Sequence, residues 1–248
     1  MSSREGIEFD RGRFDRAKLG FVLLASEQTI ESEMMRYVPE GVGVHFSRAN
    51  NPDEITATTL AAMRDSLAPA AAVLAPNADL DVICYACTSG SVVMGEDVVI
   101  GELLRGSNAR QATTLVSGVF AAFEALGVRR VAVATPYLDE VNRIEADYFA
   151  NKGFDVVRLE GLNLTLDSEM VRVTPNYLRD FAISVDSPDA EAVFVSCGAL
   201  RSVEVIDEIE AVVGKPVVTS NQAMLWHCLR LSGIDDRLDG MGRLTREH

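Results

Sequence analysis

No apolar run in this 248-residue chain approaches the roughly 20 residues that a membrane-spanning helix requires. The first residues, Met1-Ser2-Ser3-Arg4-Glu5-Gly6, lack the apolar stretch and cleavage site of a secretory signal, so a cytoplasmic protein without membrane contact is expected. Basic residues are outnumbered: 23 Lys and Arg against 37 Asp and Glu give a formal charge of -14. A field of that sign repels phosphate backbones and argues against a nucleic-acid partner. No glycine-rich nucleotide fingerprint follows the first apolar run, and no Walker motif occurs. Histidines number three: His45 falls in a strand-like run, His227 in a helical one and His248 at the end, so histidine acid–base chemistry has little support. With four cysteines in a chain of this size, reduced thiols are expected rather than a disulfide framework. What remains is ordinary, 48% hydrophobic and 24% charged residues. That mixture excludes a disordered or collagen-like chain, and the length is ample for a sizeable core.

Short β-branched runs alternate with amphipathic stretches of helical length. The pattern predicts strands at 19–25, 42–47, 81–86, 113–116, 130–134, 154–159, 192–196 and 216–219. Helical patterns lie between them, as at 29–37, 55–74, 138–151, 174–185 and 203–213. Strict alternation of this kind implies α/β architecture with parallel strands joined by right-handed crossovers. The two halves read as copies: Ser26 follows the first strand and Cys87 lies 61 residues on, while Tyr137 follows the fifth and Cys197 lies 60 residues on. Two pseudo-symmetric four-stranded units are therefore expected, 17–118 (completed by a C-terminal helix at 221–240) and 119–220. The carboxyl ends of their strands, where open α/β sheets bind ligands, would face one shared cleft. The first sixteen residues, rich in Arg and Asp, read as a surface arm.

Cys87 ends a buried-type strand and precedes Thr88-Ser89-Gly90-Ser91, a run of small hydrogen-bonding residues that opens a helix. Backbone N–H groups there favour an anion, such as a substrate carboxylate, and lower a nearby thiol pKa. A small buried residue with no chemistry is the competing reading, and Cys84 and Cys228 are assigned to it. Cys84 and Cys87 form a C-x-x-C spacing, but a zinc site would need a second ligand pair, and only Cys197, Cys228 and His227 are available. A dithiol motif would open a helix, whereas Cys84 lies within a strand. No metal site is expected. Cys197 repeats the setting of Cys87, followed by Gly198 and Ala199, which allow close approach to the backbone. Two thiols flanking one carbon suit stereochemical inversion or covalent addition. Tyr137 ends a strand where its phenol either donates to a substrate carboxylate or packs on the sheet edge. Ser26, Glu27 and Gln28 occupy the matching turn of the first half. A carboxyl there is awkward in a carboxylate pocket unless it is protonated or pairs with a substrate amine.

At Ala86-Cys87-Thr88-Ser89-Gly90-Ser91, Ala134-Thr135-Pro136-Tyr137-Leu138-Asp139-Glu140-Val141-Asn142 and Ser196-Cys197-Gly198-Ala199-Leu200, the chain resembles the aspartate/glutamate racemase superfamily. Its resemblance is to the maleate cis-trans isomerases, the arylmalonate decarboxylases and the racemase-like proteins of ectoine utilisation. The resemblance implies two flavodoxin-like domains with a cofactor-free active site between them, and a homodimer or homotetramer. It implies Cys87 and Cys197 as the catalytic pair, with Ser26, Glu27, Thr88, Ser89, Tyr137, Ser168 and Gly198 around a small carboxylic acid. In the isomerases the position of Cys87 adds to the alkene. In racemases the two thiols remove and return an α-proton on opposite faces. Arylmalonate decarboxylases keep the second cysteine but carry glycine at the position of Cys87. Two asparagines of the maleate isomerases fall here at Glu27 and near Asp167-Ser168, acidic replacements that disfavour a dianion and suit an amino group. Maleate-to-fumarate isomerisation is the first expectation. Racemisation of an amino acid derivative of the N-acetyl-diaminobutyrate type is the second. Arylmalonate-type decarboxylation and silent binding of a small acid follow.

Overall fold

The computed structural model describes residues 7–10 and 12–248. The first half runs β1 (Ala17–Leu24), α1 (Ile30–Tyr37), β2 (Val42–Ala49), α2 (Ala57–Ala62), α3 (Arg64–Val73), β3 (Val82–Tyr85), α4 (Thr88–Met94), α5 (Glu96–Gly106), β4 (Gln111–Thr114) and α6 (Leu115–Ala125). The second runs β5 (Arg130–Thr135), α7 (Asp139–Asn151), β6 (Asp155–Gly161), α8 (Asp167–Met170), α9 (Pro175–Val185), β7 (Ala192–Val195), a 3-10 turn at Val203–Val205, α10 (Ile206–Val213), β8 (Val217–Thr219), α11 (Ser220–Leu231) and α12 (Gly242–Glu247). Each half makes one parallel four-stranded sheet, in the orders β2-β1-β3-β4 and β6-β5-β7-β8, so each strand of the first sheet has its counterpart in the second. The central strands are nearly uniform apolar runs, as sheets covered on both faces require. No helix among the described residues is long and apolar enough to cross a membrane.

Two departures from the sequence pattern have local causes. The stretch at 55–74 is two helices, because i→i−3 bonds tighten the chain at Met63: its N–H reaches the Leu60 carbonyl, and Ser66 N–H returns to the Met63 carbonyl. Ser66 Oγ reinforces that turn at 2.7 Å. The fourth strand sits earlier than 113–116, because Thr114 is a helix N-cap whose Oγ1 accepts from Ser117 N–H at 3.1 Å, which draws Leu115 and Val116 into α6.

The halves are joined along α6 and α11, the helices that follow each last strand, and α11 also packs on β3 and β4. Gly118 of α6 permits this approach, since a Cβ there would lie 2.9 Å from the Ala223 carbonyl oxygen. Of the expected N-terminal arm, residues 1–6 and 11 lie outside the described residues. Residues next to β1 are tied down: Phe14 stands edge-on to His45 with centroids 5.9 Å apart, and Arg16 Nη1 reaches Asp236 Oδ2 at 2.8 Å.

Candidate active site

Cys87 is the N-cap of α4, with extended backbone and its Sγ accepting the Gly90 N–H at 3.3 Å. Small residues make this possible: a Cβ at Gly90 would lie 2.5 Å from the Tyr85 hydroxyl oxygen and 3.1 Å from Cys87 Sγ. Cys197 occupies the equivalent strand end of the second half but sits at φ +103°, in the region that favours glycine. The Ala199 N–H pulls this thiol's pKa down against burial, and Ala199 also anchors α1, through Thr29 Oγ1 at 3.1 Å from its carbonyl oxygen. Both thiols are buried, and the charge of Cys87 adds to the rise of Cys197.

Tyr137 completes the centre. Its phenol is fully enclosed, and burial together with the charges of Cys197, Glu145 and Cys87 pushes its pKa well up. Asn142 locks its backbone, with Nδ2 donating to the Tyr137 carbonyl at 3.2 Å and Oδ1 accepting from Thr135 Oγ1 at 2.6 Å. Ser220, the first residue of α11, ties the two walls together. Its Oγ accepts the Cys197 N–H at 3.0 Å and lies 2.9 Å from Thr88 Oγ1, beside the other thiol. Next to it, Asn221 Nδ2 donates to the Gly198 carbonyl at 2.8 Å and to Glu33 Oε2 at 2.7 Å. Gly198 is needed at this crossing, where a Cβ would press on Ile30 at 3.1 Å and on Asn221 at 3.2 Å.

Thr88, Ser89 and Gly198 are thus buried beside the thiols, with Ser89 Oγ 3.8 Å from Cys87 Sγ. Glu27 is buried too, but its Oε1 turns back on the start of α1, accepting the N–H groups of Thr29 and Ile30. Ser168 is placed elsewhere: its Oγ and N–H both bond Asp53, at 2.6 and 2.8 Å, on the far side of a short antiparallel bridge between Glu54 and Leu166. The inward residue of that turn is its neighbour Asp167, 3% exposed, whose Oδ2 accepts from Ser26 Oγ at 2.5 Å while Asn51 Nδ2 donates to the same hydroxyl at 2.9 Å. Asp167, Asn51 and Ser220 also belong to this cluster, and no motif marks Asn51 or Ser220. The dipeptide Asp167-Ser168 stands out in the sequence, but a period-free turn gives no sign of which side chain points in.

The electrostatics are acidic throughout. Burial pushes Cys87 up to about 11, against the opposing pull of the Gly90 N–H, and the charge of Asp167 adds to the rise. Burial and Asp167 raise Cys197 as well, with Tyr137 and the Ala199 N–H pulling the other way. Burial lifts Glu27 to about 7, Glu145 to about 7 and Glu33 to about 8. Asp167 is raised by the same cause. Among the described residues no group of three or more His, Cys, Asp or Glu side chains is arranged to hold a metal ion. Cys84 lies inside β3 against Cys228 of α11, deep in the core. A concavity of about 660 Å³ between Arg13 and Val42 lies at the amino ends of β1 and β2, the opposite end from the thiols.

Buried thiols at the carboxyl ends of matched strands, with the Tyr137 phenol influenced by both, make up the candidate active site of an α/β enzyme. The chain belongs to the arylmalonate decarboxylase (Amdase) family, whose model matches residues 43–245. It is 35% identical to an arylmalonate decarboxylase of Bordetella bronchiseptica over 147 residues, 58% of this chain and 61% of that relative's length. It is 26% identical to a maleate isomerase of Pseudomonas putida over 246 residues, 92% of this chain and 96% of the relative. Its backbone superimposes with a TM-score of 0.85 on a Nocardia farcinica maleate cis-trans isomerase mutant solved with a covalently bound succinylcysteine intermediate, at 23% identity and covering 94% and 99% of the two chains.

Proposed function

We propose that this protein is a cofactor-independent isomerase in which Cys87 and Cys197 act from opposite walls on a small carboxylic acid, with maleate-to-fumarate isomerisation as its reaction. The observation that carries this reading is the pair of buried thiols at the matching strand ends of the two halves, with the enclosed phenol of Tyr137 raised by both. The maleate isomerase from Pseudomonas putida matches nearly the full length of this chain, and the Nocardia enzyme forms a succinylcysteine. Here Cys87 as thiolate would add to one alkene carbon, forming a C–S bond while the π electrons move to the neighbouring carbon, which takes a proton from the Cys197 side. Rotation about the resulting single bond, return of that proton and expulsion of the thiolate give the trans acid. Tyr137 would hold a carboxylate. Forming the Cys87 thiolate at neutral pH from about 11 costs on the order of 5 kcal/mol, which substrate binding must offset.

One observation favours a second reading. Asp167 is buried, acts on both thiols and has no cationic side chain set against it in the site. A substrate bearing an ammonium group would neutralise that charge and lower both thiols together, which suits racemisation of an amino acid derivative by proton removal on one face and return on the other. Proton NMR in D₂O separates the two. Fumarate formed from maleate, and lost in Cys87→Ala and in Cys197→Ala by at least about a hundredfold, supports the first. Exchange of the α-proton of N-acetyl-diaminobutyrate without fumarate supports the second. Turnover of either substrate that survives loss of both thiols would refute both.

A further inference from the structure

Glu145 has no place in the chemistry so far, yet its setting is unusual for a carboxyl group. It lies on the inward face of α7, one turn beyond Asn142, and is 1% exposed. Neither of its oxygens completes a hydrogen bond. Facing it is Ser196, itself fully buried, whose Oγ is also unpartnered although its N–H is held by the Ala134 carbonyl at 2.9 Å. Ser196 directly precedes Cys197, the residue held at φ +103°. The charge of Glu145 also acts on the Tyr137 phenol, as does that of Cys197. Two orphaned polar groups therefore meet behind one thiol, and none meets behind the other in this way. An unpaired carboxylate is poorly tolerated in such a place, whereas the neutral acid has one O–H to give and Ser196 Oγ can accept it.

We propose that Glu145 is a positioning residue for the second thiol: as a neutral acid it hydrogen-bonds Ser196 and holds the Ser196–Cys197 segment in its left-handed turn, and on ionising it withdraws that donor and sets a negative charge behind Tyr137. The inference rests on the reading of Cys197 as a working thiol. Burial places the ionisation near neutrality, at about 7. Tyr137, from the turn before α7, is the titratable group facing Glu145, and Cys197 follows through it. From α4 and β6, which pack on α7, no charged group among the described residues acts on the carboxyl.

The test is iodoacetamide alkylation of the full chain across pH 5.5 to 9, with Cys87 and Cys197 quantified separately by peptide mass. In the wild type the alkylation rate of Cys197 should climb less steeply above pH 7 than that of Cys87. In Glu145→Gln, which keeps a donor but carries no charge, that lag should vanish, leaving Cys197 roughly fivefold faster than wild type at pH 8.5 and unchanged at pH 5.5. Glu145→Leu, folded by circular dichroism, should alter the Cys197 rate at every pH because no donor remains. Identical Cys197 profiles in wild type and Glu145→Gln, or equal shifts at both thiols, would overturn the proposal. Full turnover in Cys197→Ala would instead remove the two-thiol reading and leave the alkylation result to be judged on its own.

Discussion

A thiol as deeply buried as Cys87 keeps its proton at neutral pH unless something nearby relieves the penalty. Three local features pull against burial, the Gly90 N–H, Ser89 and Tyr85, and one nearby charge adds to it, that of Asp167. Replacing Asp167 by Asn keeps a partner for Ser26 Oγ and removes that charge, so alkylation of Cys87 and of Cys197 at pH 7 should both accelerate by about three- to tenfold. An unchanged rate, or an effect on one thiol alone, would count against Asp167 as a shared electrostatic neighbour. The thiols, Thr88, Ser89, Tyr137 and Gly198 were legible in the sequence because small residues after a β-branched run mark a strand end. Ser220 and Asn51 were not. Ser220 meets Thr88 across 132 residues and Asn51 meets Ser26 across 25, and such encounters are set by how strands pair rather than by any local pattern. Ser168 bonds Asp53 while its neighbour Asp167 is buried beside Ser26, because only tertiary packing decides which of two neighbours in a turn faces inward.

At the scale of elements, the alternation of runs placed every strand to within a few residues, and the division into two four-stranded sheets followed from the repeat, whereas the strand order within each sheet has no local signal. The break at Met63 and the early end of β4 escaped because a cap or a tightened turn outweighs hydrophobic periodicity over one or two residues. The α6–α11 seam depends on close backbone approach. Gly118→Ala would put a methyl 2.9 Å from the Ala223 carbonyl oxygen, so the helices must separate. A loss of about 1–3 kcal/mol is expected, lowering Tm by several degrees. Because α11 begins with Ser220 and Asn221, the same variant should also change the alkylation rate of Cys197. A melting curve and alkylation profile equal to wild type would show that the seam yields without cost.

For the molecule as a whole, the buried acids give stability a direction in pH. Glu27, Glu33 and Glu145 titrate at about 7, 8 and 7 in the folded chain, well above the usual carboxylate range that they recover on unfolding. Between about pH 4.5 and 8 the native state therefore holds more protons than the unfolded one, and stability falls as pH rises through that window. Each group contributes on the order of a few kcal/mol. His227, pushed down to about 4 by burial, works the other way below pH 6.5, as one group against three. Urea midpoints should be highest near pH 5 and decline toward pH 8.5, and Glu33→Gln should flatten the decline. A midpoint that rises from pH 5 to 8 would contradict the burial of these acids.

The twofold likeness of the halves fails at one informative spot. The chain after Cys87 enters a helix at once, whereas the chain after Cys197 passes through a turn at φ +103° and reaches no helical residue until Val203. If the enzyme interconverts mirror-image substrates, equilibrium obliges the two directions to share one kcat/KM, but unequal walls leave kcat and KM free to differ in compensation. One enantiomer would then be bound more tightly and turned over more slowly, each by the same factor. Divergence at a single strand end would have given the catalyst a preferred hand while leaving its equilibrium untouched.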